Sequence, residues 1–239
     1  MAYHSNFFFY ILTTLVIFLG LQGTQAVEYV VTNQALTTEG GVRFRNELGA
    51  EYVKQRMAAA TQFIWTIFNQ NTQADRKNVQ VVNLIVENRE GIAVTIGNGI
   101  HIGANYIQGI KGDIKTDFNG VLYHEMTHIW QWYDKNPNIV GGIADYVRLK
   151  ANYIPGHWVK PGGGERWNQG YDVTARFLEY CESLRNGFVA ELNKKMRTSF
   201  DVNYFEQLLG KTVDQLWKDL QGQVWPGLTK LNCLLLLLL

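Results

Sequence analysis

Between residues 47 and 70 apolar side chains recur at helical spacing: Leu48, Tyr52, Phe63 and Ile67, reinforced by Val53, Met57, Ile64 and Phe68, with Glu51, Lys54 and Arg56 between them. That period gathers the apolar residues on one side of a helix and the charges on the other, and three alanines at 58–60 add helix propensity. A long amphipathic helix is predicted there. Downstream the texture changes to short β-like runs over 79–86, 92–96 and 100–107, punctuated by Gly91, Gly97, Gly99 and Gly103. Runs of that length between glycines read as strands that pair with one another. The helical period returns from Phe118 to Trp132, breaks at the polar, proline-containing stretch 134–138, and resumes over 142–152. Past a loop rich in proline and glycine at 155–164, Val173, Phe177, Tyr180, Cys181 and Leu184 mark a further helix. Val213, Leu216, Trp217 and Leu220 mark another. The fold class read from this order is α+β: a small mixed sheet with a long helix, followed by a mostly helical C-terminal lobe.

The two ends depart from this pattern. Residues 1–26 contain no Asp, Glu, Lys or Arg, carry an apolar run from Phe7 to Leu21, and finish Gly23-Thr24-Gln25-Ala26. Small residues after an apolar run suit a signal peptidase, and the run is shorter than the roughly 20 residues a spanning helix needs. A cleaved secretory signal is expected, with no stable membrane anchor after cleavage. At the other end Cys233 is followed by six leucines, Leu234 to Leu239, too short to span a bilayer and preceded by polar residues; the run reads as a gene-model or translation artefact. The organisation read from the sequence is a signal at 1–26, a single domain at 27–221 made of an α/β lobe (27–136) and a helical lobe (137–221), and an atypical tail at 222–239.

Composition narrows the function. The chain has 239 residues, 46% of them hydrophobic, with 22 Lys and Arg against 21 Asp and Glu. A formal charge of +1 without a basic block gives no electrostatic footprint for nucleic acid or an anionic membrane. Two cysteines, Cys181 and Cys233, allow at most one bridge, so the core must hold the fold.

The chemistry is concentrated in His124-Glu125-Met126-Thr127-His128. On a helix, positions i and i+4 share a face one turn apart. Both imidazoles can then reach one metal ion, and Glu125 beside them can take a proton from water. This is the HExxH arrangement of zinc peptidases. A glycine-rich strand pair precedes it, and an edge strand there could bind a peptide by β-augmentation. A catalytic zinc normally takes three protein ligands. Asp134 stands six residues after His128, the spacing of the metzincin third ligand, but Gln131 replaces the glycine that lets such a chain turn. The alternative lies in Gly141-Gly142-Ile143-Ala144-Asp145: gluzincins place a ligating Glu on a second helix and, four residues later, an Asp that orients the first histidine. Asp145 fits the Asp; Gly141 occupies the Glu position.

Three blocks, HEMTHIWQW (124–132), GIADYVRLK (142–150) and RWNQGYDVTARFLEYC (166–181), closely resemble the plant basic secretory proteins, secreted proteins with a zinc-peptidase-like core and links to defence. The resemblance spans roughly Tyr29 to Leu220. It implies a zincin-like fold with an HExxH active-site helix, Zn bound by His124 and His128, Glu125 as general base, a peptide or protein substrate, and secretion to the apoplast. A monomer is expected. Two departures stand out. Relatives usually carry Glu where this chain has Gly141, and this chain is near neutral rather than basic.

Asp145 then has three readings: support for the ring of His124, a substitute ligand moving into space left by Gly141-Gly142, or a plain helix-surface carboxylate. If metal binds, the expected reaction is peptide hydrolysis with an oxyanion donor drawn from His157, Tyr153 or Tyr171. Tyr153 and Tyr171 are expected to pack structurally, His157 to sit in a loop, and His101 to be structural on a strand. Trp130 and Trp132 are expected to pack toward the second helix, and Arg148 to serve as an ion-pair partner. The competing function is a catalytically impaired zincin-fold binding or defence protein that has lost its third ligand.

Overall fold

The computed structural model of the chain describes residues 26–132 and 135–224. The signal-like segment up to residue 25, Asp134, Cys233 and the leucine run therefore lie outside the described residues. The sheet holds four strands, β1 (Glu28–Asn33), β2 (Val81–Glu87), β3 (Ala93–Ile96) and β4 (Gly99–Gly103), in the order β1-β2-β4-β3. β1, β2 and β4 run parallel, and β3 pairs antiparallel with β4. Gly97 has φ +59°, the conformation a two-residue hairpin turn needs between β3 and β4. The third β-like run is shorter than its sequence suggests. β4 ends at Gly103, and Ala104–Gly109 forms a short helix, because only the residues before 104 find a partner strand.

The helices are α1 (Glu39–Arg43), α2 (Ala50–Ile67), α3 (Ala104–Gly109), α4 (Ile114–Trp130), α5 (Pro137–Lys150), α6 (Tyr171–Leu184), α7 (Phe188–Lys195), α8 (Tyr204–Leu209) and α9 (Val213–Val224). The predicted long helix is α2, but its first turn is set off by a π-helical turn at Phe44–Leu48 and by Gly49 at φ +77°. Val53, Met57, Ala60 and Ile64 of α2 are buried together with Val82, Leu84, Val86, Ile100 and Ile102 of the sheet. The alternate burial along β2 is the period-two signature of a strand packed on one face.

α4 and α5 carry the site. Asp113 caps α4, accepting from the Lys115 N–H at 3.0 Å, and Phe118, Leu122, Met126 and Trp130 sink into the core. Asn136 caps α5, and Pro137 occupies the first turn, where its missing N–H costs nothing. Trp130 packs toward α2: its Nε1 donates to Thr61 Oγ1 at 3.2 Å and its ring lies edge-on against Trp65, 4.9 Å between centroids. The Trp132 backbone N–H donates to Asn193 Oδ1, and Arg197 lies over the Trp132 ring. Trp130 is buried at the C-terminal end of α4 against α2, and Trp132 lies two residues beyond that helix, against the side of α7. Cys181 is a free, fully buried thiol whose pKa is pushed up by burial.

α5 and α6 meet at Gly142. A Cβ there would lie 2.3 Å from Thr174 Cγ2. Thr174 cannot rotate freely aside, because its Oγ1 donates to the Trp167 carbonyl and accepts from the Gly170 N–H. The diglycine therefore gives no freedom to α5 at this point; it lets two helices approach. Gly142→Ala is expected to destabilise the protein by about 1–3 kcal/mol, the usual cost of overpacking, read as a lower urea midpoint; an unchanged midpoint would contradict this packing.

Candidate active site

His124, Glu125 and His128 lie in the last two turns of α4, with Glu125 6% exposed and the two imidazoles 4.8 Å apart between ring centroids. Each ring is held by its Nδ1. His124 Nδ1 lies 2.6 Å from Asp145 Oδ1 across the α4–α5 interface, and Asp145 is 4% exposed. The surface-carboxylate reading of Asp145 is excluded by that burial. Its movement into a ligand position is opposed by the packing of Gly142 and by its short contact with His124.

His128 Nδ1 lies 2.6 Å from the Gln131 side-chain amide, whose Oε1 is otherwise buried without a partner. An imidazole that binds metal through Nε2 carries its proton on Nδ1. The amide orientation that accepts this proton turns the orphaned Oε1 onto the ring. Gln131 thus has a local role that the missing metzincin glycine obscured in the sequence. Burial, together with the nearby His124 and Lys77, pushes the His128 pKa down to about 3, so the ring is neutral near pH 7, the form a metal requires.

Glu125 reaches the sheet. Thr95 Oγ1 on β3 donates to Glu125 Oε2 at 2.6 Å, tying the carboxylate to the edge strand. Gly103 N–H donates to the Ile92 carbonyl at 2.9 Å, so by antiparallel alternation Val94 and Ile96 direct their backbone groups to β4. Ala93 and Thr95 then present theirs to the open edge. Two cavities, of about 430 Å³ and 510 Å³, lie along that edge and share Ala93, His124, Glu125 and Tyr171 in their walls. Together they form a cleft running past Glu125 in both directions.

Tyr171 departs from its expected packing role. It is 64% exposed, its ring stacks on His124 at 6.1 Å between centroids, and its backbone stands at φ +45°. A bulky residue in the left-handed region costs on the order of 1–3 kcal/mol and persists where its surroundings fix it. The same ring faces Gly141, where a Cβ would lie 3.6 Å from Tyr171 Cε1. His157 is exposed and lines the smaller cavity. Tyr153 is elsewhere: its hydroxyl accepts from Arg56 and Asn119. His101 is held by Glu87 at 3.1 Å. Arg148 forms no ion pair among the described residues; its Nε donates to the Tyr153 carbonyl at 2.9 Å and it lines the smaller cavity.

The metal question can be tested on these donors. Two neutral-capable imidazoles with their Nδ1 atoms engaged fit zinc at two positions. Among the described residues, however, no group of three or more His, Cys, Asp or Glu side chains is placed to hold a metal ion. Gly141 supplies no third ligand, and Asp134 lies outside the described residues.

A family described as peptidase of plants and bacteria matches residues 24–220. The chain belongs to this family. A protein named basic secretory protease, from Boswellia serrata, is 43% identical over 61 residues, which cover 26% of this chain and 70% of that protein. Two crystal structures of the M1 zinc metallopeptidase from Deinococcus radiodurans, one of a mutant, superpose with a TM-score of 0.45 at 11% identity. The matches cover 68% and 70% of this chain, which spans 43% of that enzyme's length.

His124, Glu125, His128 and Asp145, all singled out in the sequence, thus meet at one place. The sequence did not reveal Thr95, Gln131 or Lys77. For Thr95 a signal existed in the strand alternation, which puts residue 95 on the same face as residue 93. Gln131 and Lys77 carry no spacing that would mark them.

Proposed function

We propose that this member of the peptidase family is a secreted, zincin-like zinc endopeptidase that hydrolyses peptide or protein substrates outside the cell. The observation that carries the reading is the shared environment of three side chains. Two imidazoles on one helix face are each fixed at Nδ1, and Glu125 beside them is tied to an edge strand that borders a cleft. Secretion rests on the N-terminal pattern and on the name of the Boswellia relative, and a defence role on the resemblance alone. No described helix is long and apolar enough to cross a membrane.

In this reading His124 and His128 would hold a zinc ion through Nε2, and the ion, when bound, supplies carbonyl polarisation and water acidification. The chain's own residues do the rest. β3 orients an extended substrate through the open N–H and C=O groups of Ala93 and Thr95. Glu125 takes the proton from the attacking water on a carboxylate oxygen and returns it to the leaving amine. Thr95 holds that carboxylate in place. Asp145 and Gln131 fix the two rings, roles whose loss typically costs about 10–100-fold in metal affinity or activity. Tyr171, over His124 and open to the cleft, is the donor best placed to steady the oxyanion; Tyr153 is not, because its hydroxyl is committed elsewhere.

The second reading, an impaired zincin-fold binding or defence protein, rests on one observation, the glycine at 141. Hydrolysis of unfolded casein by the full chain supplied with zinc separates the two. Cleavage that disappears in Glu125→Gln supports the peptidase. Absence of cleavage in the wild type favours the impaired protein, and equal cleavage by both forms overturns the assigned role of Glu125.

A further inference from the structure

The two halves of the cleft differ in what they offer a bound chain. Beyond Ala93 the smaller cavity continues toward Ile92, Val121 and Trp158. The larger one follows β3 in the other direction, along Thr95, Gly97 and Asn98, and its wall includes Lys77.

Lys77 is a cation without a counter-charge. Its Nζ donates to the His128 carbonyl at a long 3.5 Å, and among the described residues it forms no ion pair. Arg43 meets Glu47 and three carbonyls, and Arg176 meets Glu179; Arg148, in the smaller cavity, also lacks an ion pair among the described residues, but its Nε donates to the Tyr153 carbonyl at 2.9 Å and its guanidinium lies over the Trp158 ring. An ammonium withdrawn from water into a cavity wall without an ion-pair partner is unfavourable unless one arrives. The wall of that cavity also holds Thr95, Gly97, Asn98, Gln131 and Val140, and its one carboxylate, Glu125, accepts from Thr95 Oγ1 and forms no ion pair with Lys77 among the described residues.

We propose that Lys77 is a substrate-selecting residue: a peptide laid on β3 places a carboxylate against Lys77 Nζ on the Thr95–Asn98 side of the cleaved bond. The carboxylate is either an Asp or Glu side chain or the chain's own C-terminus. This deepens the peptidase reading and rests on it. At about 3.3 Å per residue, the short length of β3 beyond Thr95 places that carboxylate within about two or three residues of the bond cleaved.

The test uses internally quenched peptides of one parent sequence, with Glu or Gln at each of the three positions on either side of the cleaved bond. Each is made as a free acid and as an amide. One acidic position, on one side only, is expected to raise kcat/KM about 10-fold over its Gln counterpart, the size of one charge-assisted contact. If the C-terminus is the partner, the free-acid to amide ratio shows the preference instead. Lys77→Met should bring the ratio to about one, and Lys77→Arg should retain most of it.

Ratios within about twofold of one in the wild type, or a preference that survives Lys77→Met, would overturn the assignment. Because turnover depends on the peptidase reading, the same Glu and Gln peptides are also titrated onto the Glu125→Gln protein by fluorescence anisotropy. Absence of cleavage with an acid preference in binding that Lys77→Met removes would sink the peptidase and keep the Lys77 subsite. Absence of any acid preference in binding would sink the subsite.

Discussion

Glu125→Gln is expected to lower casein hydrolysis by about 10²–10⁴-fold, the range over which a positioned acid–base group accelerates proton transfer. The substitution is close to isosteric. The Gln amide oxygen can still accept from Thr95 Oγ1, which donates to Glu125 Oε2 at 2.6 Å in the native protein. Neither imidazole loses its partner, since His124 is held by Asp145 and His128 by Gln131. Zinc content and thermal midpoint should therefore match the wild type while turnover collapses. A variant that loses zinc along with activity would show that Glu125 acts through the integrity of the site. One that retains more than about a tenth of the activity would remove it as the base.

Gly141→Glu is expected to raise zinc affinity by more than the roughly 10–100-fold that a supporting partner of a ligand contributes, because it adds a charged ligand to a site with two imidazoles. The backbone admits the change. A Cβ at 141 meets Tyr171 Cε1 at 3.6 Å, an ordinary contact, unlike the 2.3 Å clash with Thr174 next door at Gly142. The longer Glu side chain must displace the Tyr171 ring from its place beside His124, and that ring is 64% exposed and can swing outward. Replacing a glycine within α5 also removes a helix penalty of up to about 1 kcal/mol. Zinc affinity is read by competition with a chromophoric chelator. Unchanged affinity would mean that the third position is already supplied by another group. Higher affinity with lower activity would point to Tyr171 as the group that the new carboxylate had displaced from catalysis.

Much of this protein was legible in its sequence where a period is strong. The i,i+4 histidines, the long α2 and the helix around Phe177 follow from spacing, and Asp145 was marked by standing four residues after position 141, where gluzincins carry the ligating Glu. The strand ends were less legible. A β-like run continues to Ile107, but Gly103 is the last residue with a strand partner, Glu87, and pairing is a property of the neighbour as much as of the run. β1, α7 and α8 were not anticipated; α7 and α8 are short, and β1 lies beside β2 by a parallel pairing that no local turn announces. The diglycine misled for a physical reason. Sequence shows that a glycine allows freedom, whereas the structure shows a helix crossing at Thr174 that uses its small size instead. Tyr171 was a candidate donor in the sequence but was expected to pack in the core; its left-handed backbone instead places an exposed ring over His124.

The proposed metal site is the pair His124 and His128 on α4. The most direct measurement is the zinc content of the full chain after equilibrium dialysis at pH 7.5, by elemental mass spectrometry, for the wild type beside His128→Ala. About one zinc per chain is expected in the wild type at saturating metal, with a near-complete loss in His128→Ala, since one imidazole cannot retain the ion alone. No zinc in the wild type, or equal zinc in both proteins, would contradict it.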